Sequence, residues 1–385
     1  MNELQAILNA FAASQKNGET AFLATVVSTK GSTYRRRGAK MLITNAGQMV
    51  GMVSGGCLEN DIYQHTRYSM PSGAPIVITY DTTADEDIVW GFGLGCNGAV
   101  QVLLEPLAPD NKFNPLTFID QCFEQKHLGA IATIFGMEGE VNAKIGNRLM
   151  LNRDGNYTSN IADIDLKSAI MADAQTVLQN QHSTIKKYQL SSGIVEAFIE
   201  VIHPPTQLII FGAGRDAVPV VKFAKALGWH VTVVDCRASD TTKLRFPLAD
   251  QILLACRETL RQQLSVDENT VVVIMTHNYL DDLEILKMLL PSPVPYIGAL
   301  GSKKRTERLL RDLSKEEIFY TKDRENRLHA PVGIDIGSET PEEIAIAIIA
   351  EIQAVLANRS GGFLKNRQGS IHQPPSHQKP ISNYQ

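Results

Sequence analysis

Apolar residues recur along this chain in two patterns, with a break at His203-Pro-Pro-Thr206. Before the break, Leu4, Ile7, Leu8 and Phe11 fall at helical spacing and predict an amphipathic helix. Short apolar runs bounded by turn formers then predict strands over 21–28, 40–44, 47–53, 75–80 and 98–104, with a helix over 58–68. From 106 to 204 the pattern predicts helices near 117–124 and 166–179 and strands at 130–135, 148–151 and 195–201. This segment is expected to complete the sheet of the first domain or to cap it, and no candidate chemistry is evident in it.

After the break the rhythm is strand, turn, helix, strand. Gln207 to Phe211 is continuously apolar, Gly212-Ala-Gly-Arg-Asp-Ala217 follows, a helix runs to Leu227, and a second strand ends at Asp235. Glycines give the tight turn and close backbone approach, a small residue lets the helix pack on the strand, and an acid about 20 positions on meets a ribose hydroxyl. Gly212, Gly214, Ala217 and Asp235 are therefore candidate nucleotide-binding residues, with NAD or NADP as the expected ligand; Arg237 leaves the choice between them open. Strands at 251–254, 271–275 and 294–297 alternate with helices near 279–289 and 303–313, and Thr340-Pro-Glu-Glu343 reads as a capping box opening a last helix. The fold class is α/β: an N-terminal mixed α+β domain (1–203), then a C-terminal Rossmann-like doubly wound parallel sheet (204–358). The polar tail over 359–385 is expected to be disordered.

Composition changes little in this picture. Of 385 residues, 44% are hydrophobic and 20% charged, and 41 acids against 37 bases give a net charge of −4, so nucleic acid and anionic membranes are not expected partners. The first residues carry no basic stretch ahead of an apolar core, and no apolar run approaches the roughly 20 residues that cross a bilayer, so the expected location is the cytoplasm.

The five cysteines suit free thiols better than a disulfide framework. Two stand beside glycines. Cys96 lies in Trp90-Gly-Phe-Gly-Leu-Gly-Cys-Asn-Gly98, and Cys57 in Ser54-Gly-Gly-Cys-Leu-Glu59, just ahead of a predicted helix whose N–H groups and dipole would favour a thiolate. Both are expected to share one site, flanked by Gly55, Gly56, Gly95 and the basic loop Arg35-Arg36-Arg37. Cys122, Cys236 and Cys256, in apolar elements, are expected to be structural. His277, at a strand end, is the candidate proton carrier. Two thiols without accompanying histidines make a poor structural zinc site.

Several stretches together resemble one family: Gly31-Ser-Thr-Tyr-Arg-Arg-Arg-Gly-Ala-Lys40, the Ser54–Glu59 turn, Gly95-Cys-Asn-Gly98, Tyr296-Ile-Gly-Ala-Leu-Gly-Ser302, and Pro331-Val-Gly-Ile-Asp-Ile-Gly337 with Thr340-Pro-Glu-Glu-Ile-Ala. They look like the XdhC/CoxI family of accessory factors for xanthine dehydrogenase and related molybdenum hydroxylases. The resemblance implies a maturation factor rather than an oxidoreductase. Such a factor binds molybdenum cofactor, assists its sulfuration by a cysteine desulfurase, and inserts it into a xanthine dehydrogenase-type apoenzyme. Cys57 and Cys96 are then the expected contacts to molybdenum or a carried persulfide, Arg35 to Arg37 the contacts to the pterin phosphate. Self-association as a homodimer is a further expectation. One position departs: Arg215 follows the second glycine where relatives often carry His. Two other readings stand beside this one, an NAD(P)-dependent oxidoreductase working in the crevice at Gly212 and a non-catalytic nucleotide-binding dimer.

Overall fold

A computed structural model describes residues 3–68, 73–81, 98–108, 111–235, 241–255, 259–316, 321–368 and 371. Most of the tail for which disorder is expected lies outside these residues. The chain separates into two compact units, Glu3–Pro205 and Met1–Asn2 with Thr206–Gln385.

The first unit opens with α1 (Glu3–Lys16), whose Ile7, Leu8 and Phe11 are buried, followed by β1 (Ala21–Gly31), β2 (Lys40–Ile43), β3 (Met49–Gly51), α2 (Glu59–Tyr68), β4 (Ile76–Asp81) and β5 (Gly98–Leu107). These strands form an antiparallel sheet in the order β3-β2-β1-β5-β4. The segment beyond Pro106 does not complete this sheet; α3 (Pro115–Gln125), β6 (Gly129–Gly139), β7 (Arg148–Asn152), β8 (Tyr157–Ser159), α4 (Ile164–Asn180), β9 (Thr184–Leu190) and β10 (Gly193–Ile202) build a second antiparallel sheet, ordered β8-β7-β6-β10-β9. A strand's alternation declares which face is buried and says nothing of its neighbour, so the pattern alone does not reveal a separate sheet.

Val27 and Leu103 of the first sheet pack with Phe135 and Phe198 of the second. Two ion pairs also cross from sheet to sheet. Lys40 Nζ lies 2.7 Å from Glu200 Oε2, with side chains only 4% and 10% exposed, and Arg148 pairs with Glu105, both buried. Taking charges out of water this far is tolerable only when each has its partner.

In the second unit, β11 (Gln207–Phe211), α5 (Ala217–Ala226), β12 (His230–Asp235), α6 (Thr241–Arg245), β13 (Gln251–Leu254), α7 (Leu260–Gln263), β14 (Thr270–Ile274), α8 (Tyr279–Leu289), β15 (Tyr296–Ala299), α9 (Lys303–Lys315), α10 (Lys322–Glu325), β16 (Leu328–His329) and α11 (Pro341–Leu356) follow in order. The strands form a parallel sheet, β13-β12-β11-β14-β15-β16. Val220 and Ala224 of α5 pack with Ala345, Ile348 and Ile352 of α11 in one core; Leu283, Leu286 and Leu289 of α8 pack with Leu309 and Leu313 of α9 in the other. This is the doubly wound α/β arrangement that the sequence predicts. Its last helix begins with the expected reciprocal cap, Thr340 with Glu343 and Pro341 in the first turn. The strand order reverses between β11 and β14, the point where ligands of such sheets usually bind. No helix among the described residues is long and apolar enough to cross a membrane.

Candidate functional site

In the first unit the expected thiol site is built on the turn between β3 and α2. Ser54 acts as the hub: its Oγ accepts the N–H groups of Gly56, Cys57 and Leu58 at 3.2, 3.0 and 3.0 Å and donates to Glu59. The Glu59 carboxylate in turn accepts the N–H of Ser54 at 2.7 Å and that of Val53 at 3.2 Å. One hydroxyl and one carboxylate thus satisfy the amides around Cys57 and hold the turn in a single shape. Gly56 takes φ +105°, where a side chain would be strained, and the space beside it is open. The Cys57 side chain is exposed at the tip.

Burial pushes the Glu59 carboxyl up, but the hydrogen bonds from the Ser54 hydroxyl, the Ser54 amide, its own amide and that of Val53 outweigh this and leave it below its usual value. A depressed folded-state pKa gives stability that is present above the unfolded value and lost as pH falls through the folded one. Glu59→Gln is accordingly expected to cost no more than about 1 kcal/mol at pH 7, the group being partly solvated. The difference from wild type should close below about pH 4. Urea unfolding across pH measures it, and a constant difference would show that the charge is not what holds the turn.

The basic loop lies against this turn. A methyl group placed at Gly55 would sit 3.5 Å from the ring of Tyr34, so 31–40 and 54–59 are neighbours, as two parts of one site require. Arg35, though, is committed: its Nη2 is 2.5 Å from Glu3 Oε2 of α1, and Glu3 Oε1 accepts the Met52 N–H at 2.8 Å. Arg36 and Arg37 are exposed, and Arg37 has no ion pair among the described residues. The amides of 56–58 face Ser54 and so are not free to meet an anion at this turn. Cys96 and Gly95 lie outside the described residues, as do Cys236, Arg237 and Cys256. Gly98, two positions after Cys96, pairs with Gly31 at the mouth of the β1–β5 ladder, where a Cβ would meet the carbonyl oxygens of Lys30 and Ser32 at 2.6 and 2.7 Å. Cys122 is buried, and burial pushes its thiol up to about 12, which makes it inert at neutral pH.

In the second unit Gly212 closes β11 at φ +120°, and a Cβ there would meet Met275 O at 2.3 Å, so the glycine is needed for β11 and β14 to run side by side. Ala217 is buried at the start of α5, and Asp235 ends β12 with its carboxylate accepting the Thr242 hydroxyl at 2.7 Å. The residue that sequence reasoning missed is Asp216. Its Oδ1 lies 2.2 Å from where a Cβ of Gly214 would be, so a carboxylate folds over the glycine turn. Its Oδ2 is 2.7 Å from His277 Nε2, and His277 is itself left-handed at φ 56°. No sequence spacing links positions so far apart. Were this turn to take a dinucleotide, Asp216→Asn, which keeps the size and removes the charge, would tighten NADH binding about tenfold. Fluorescence titration reads this, and equal affinities would show that the carboxylate does not govern the turn.

The other motifs turn out to brace the sheet. Arg305 donates to Asp282 Oδ2 at 2.7 Å, and Asp282 Oδ1 accepts the Thr276 hydroxyl at 2.5 Å. Tyr296 Oη donates to Glu351 at 2.6 Å, the same carboxylate oxygen accepts the Gly333 N–H at 3.0 Å, and His329 stacks on Tyr296.

A chain of two units, one with a glycine–cysteine turn on antiparallel sheets and one with a doubly wound parallel sheet, defines a protein class that comparison makes specific. The model of the XdhC and CoxI family matches residues 14–81 and 122–189, and that of the XdhC Rossmann domain matches 208–352. The chain is 33% identical over 335 residues to a probable xanthine dehydrogenase subunit from Bacillus subtilis, covering 87% of this chain and 92% of that one. It is 23% identical to the molybdenum cofactor insertion chaperone PaoD of Escherichia coli over 88% and 84% of the two chains. A crystal structure described as a xanthine dehydrogenase from Bacillus halodurans superposes with a TM-score of 0.74 at 28% identity, over 93% of this chain and 97% of the other. This chain belongs to the XdhC and CoxI family.

Proposed function

We propose that this protein is an accessory factor that binds molybdenum cofactor, takes part in its sulfuration and delivers it to a molybdenum hydroxylase of the xanthine dehydrogenase type. Family membership and the PaoD likeness support the general role. The observation that carries the rest is the exposed Cys57 thiol on a turn whose amides at 53, 54, 56, 57 and 58 are internally satisfied. Such a turn presents sulfur without rearranging when a ligand arrives.

The residues fit the group. A thiolate is a soft ligand suited to a molybdenum–sulfur centre or to carrying sulfane sulfur from a cysteine desulfurase. Open space beside Gly56 leaves room for a bulky ligand, and exposed Arg37 is the cation assigned to the phosphate. Cys96, two residues from Gly98, is the second thiol assigned to the same task. When bound, the cofactor supplies the metal and its pterin; the chain's own part is to hold it by sulfur and phosphate and to release it to the apoenzyme.

Mixing the cofactor-loaded protein with a cofactor-free xanthine dehydrogenase-type enzyme tests the role. Activity should appear faster and to a higher level than with free cofactor. Equal activation by free cofactor at the same concentration would refute the assignment.

A further inference from the structure

The outer face of α9 is strongly cationic in a chain whose net charge is −4. Lys303, Lys304, Arg308, Arg311 and Lys315 are exposed there, against one exposed acid within the helix, Glu307. Lys304, Arg308, Arg311 and Lys315 recur at intervals of four, three and four residues, so they form one stripe down the helix, roughly 16 Å long. The opposite face, with Thr306, Leu309 and Leu313, is buried.

The stripe is built against local stability. The first turn of α9 holds no acid, although the helix dipole favours one there, and Lys303 and Lys304 occupy it instead. Lys304 and Arg308, and again Arg311 and Lys315, are like charges one turn apart, a spacing at which they repel. Of the five cations only Lys315 has an ion pair among the described residues, with Asp312. Local rules broken with no gain inside the fold point to a gain outside it.

Arg308 is also held in place. Its guanidinium lies over the Tyr279 ring, 4.8 Å from the centroid, and Tyr279 is fixed in turn by donating its hydroxyl to Asp312 Oδ2 at 2.7 Å. Arg305, 5.6 Å from the same centroid, is spent on Asp282 through Nε and Nη2. Arg308 thus presents a flat, oriented guanidinium whose N–H groups have no hydrogen-bond partner among the described residues. A carboxylate can take such a group in two hydrogen bonds.

We infer that this stripe is the landing surface for an acidic patch on the hydroxylase that receives the cofactor, and that it speeds their encounter. The inference rests on the delivery role proposed above. A carrier has to meet its acceptor often and leave it again, and complementary charge raises the rate of encounter more than the lifetime of the complex. A membrane fits less well, because the leucines of α9 give nothing to insert: Leu309 and Leu313 are buried and Leu310 is half-buried. Nucleic acid fits less well too, since a base would compete with two guanidinium groups for the aromatic ring beside the stripe.

Association kinetics of the full chain with a cofactor-free xanthine dehydrogenase-type enzyme test it. The wild-type association rate should fall at least about tenfold between about 50 and about 500 mM NaCl. Lys304→Gln/Arg308→Gln/Arg311→Gln should lower that rate at least about tenfold at the lower salt and change the dissociation rate less than about threefold. With like charges removed, its melting temperature should be equal or higher. Arg308→Gln alone, in a barely altered helix, should associate severalfold more slowly. Lys16→Gln/Lys126→Gln/Lys144→Gln makes the same change in net charge at exposed lysines of the first unit and should associate at nearly the wild-type rate. Equal slowing by the two triple variants, an association rate that the α9 changes leave unaltered, or binding to a DNA duplex or to phosphatidylglycerol vesicles as tight as to the hydroxylase would each overturn the inference and leave the delivery role standing. A wild type that neither associates with the hydroxylase nor activates it would overturn both.

Discussion

Replacing Lys40 with Met is expected to destabilise the first unit by about 3–5 kcal/mol, because it strands the Glu200 carboxylate in the seam between two sheets. The pair is 2.7–2.8 Å apart through both carboxylate oxygens, and the Lys40 ammonium also donates to the Gly38 carbonyl at 3.2 Å. Gly38 itself, at φ +88°, leaves space that a side chain would fill 3.2 Å from Glu200 Oε2. With the cation gone, no second cation pairs with Glu200 among the described residues. The double variant Lys40→Met with Glu200→Leu should regain most of the loss, since apolar groups of similar volume need no partner. Urea denaturation followed by probes in the first unit reads both. A single variant that costs less than about 1 kcal/mol would mean that water reaches the pair.

Cys57→Ala is expected to lower activation of a cofactor-free hydroxylase at least about tenfold, without change in melting temperature. The stability side follows from the turn's construction: Ser54 and Glu59 bind backbone N–H groups and do not hydrogen-bond the Cys57 sulfur. The activity side follows from exposure, as this is a thiol a cofactor or sulfur donor can reach. Cys122→Ala makes the converse control. That thiol is packed under α3 and protonated at working pH, so its loss should cost stability and leave activation intact.

The second unit is the more legible in sequence. Its central strands β11, β14 and β15 are buried and read as unbroken apolar runs, and its helices carry their own start signals, such as Thr340 to Glu343. In the first unit β9 is hidden from the pattern. Thr184-Ile-Lys-Lys-Tyr-Gln-Leu is an edge strand with outward lysines, and its strand character comes from pairing with β10. At the candidate site, the glycine–cysteine turn and its Ser54 cap are readable because both are local. The Tyr34 ring against Gly55, the Glu3 clasp on Arg35 and the Asp216–His277 pair join residues 21 to 61 positions apart, and no spacing rule encodes such contacts. The unpaired half of the Asn114 amide is invisible in sequence for a related reason: asparagine at a helix start reads as a cap, and only its surroundings reveal that its Nδ2 is left over among the described residues.

Cofactor retention decides whether the Cys57 turn holds molybdenum cofactor: the purified protein is loaded with the cofactor, freed of unbound ligand, and assayed for molybdenum and pterin per chain in wild type and Cys57→Ala. Wild type should retain both, and the variant should lose most of the molybdenum while keeping its fold; equal retention by the two proteins would contradict the claim.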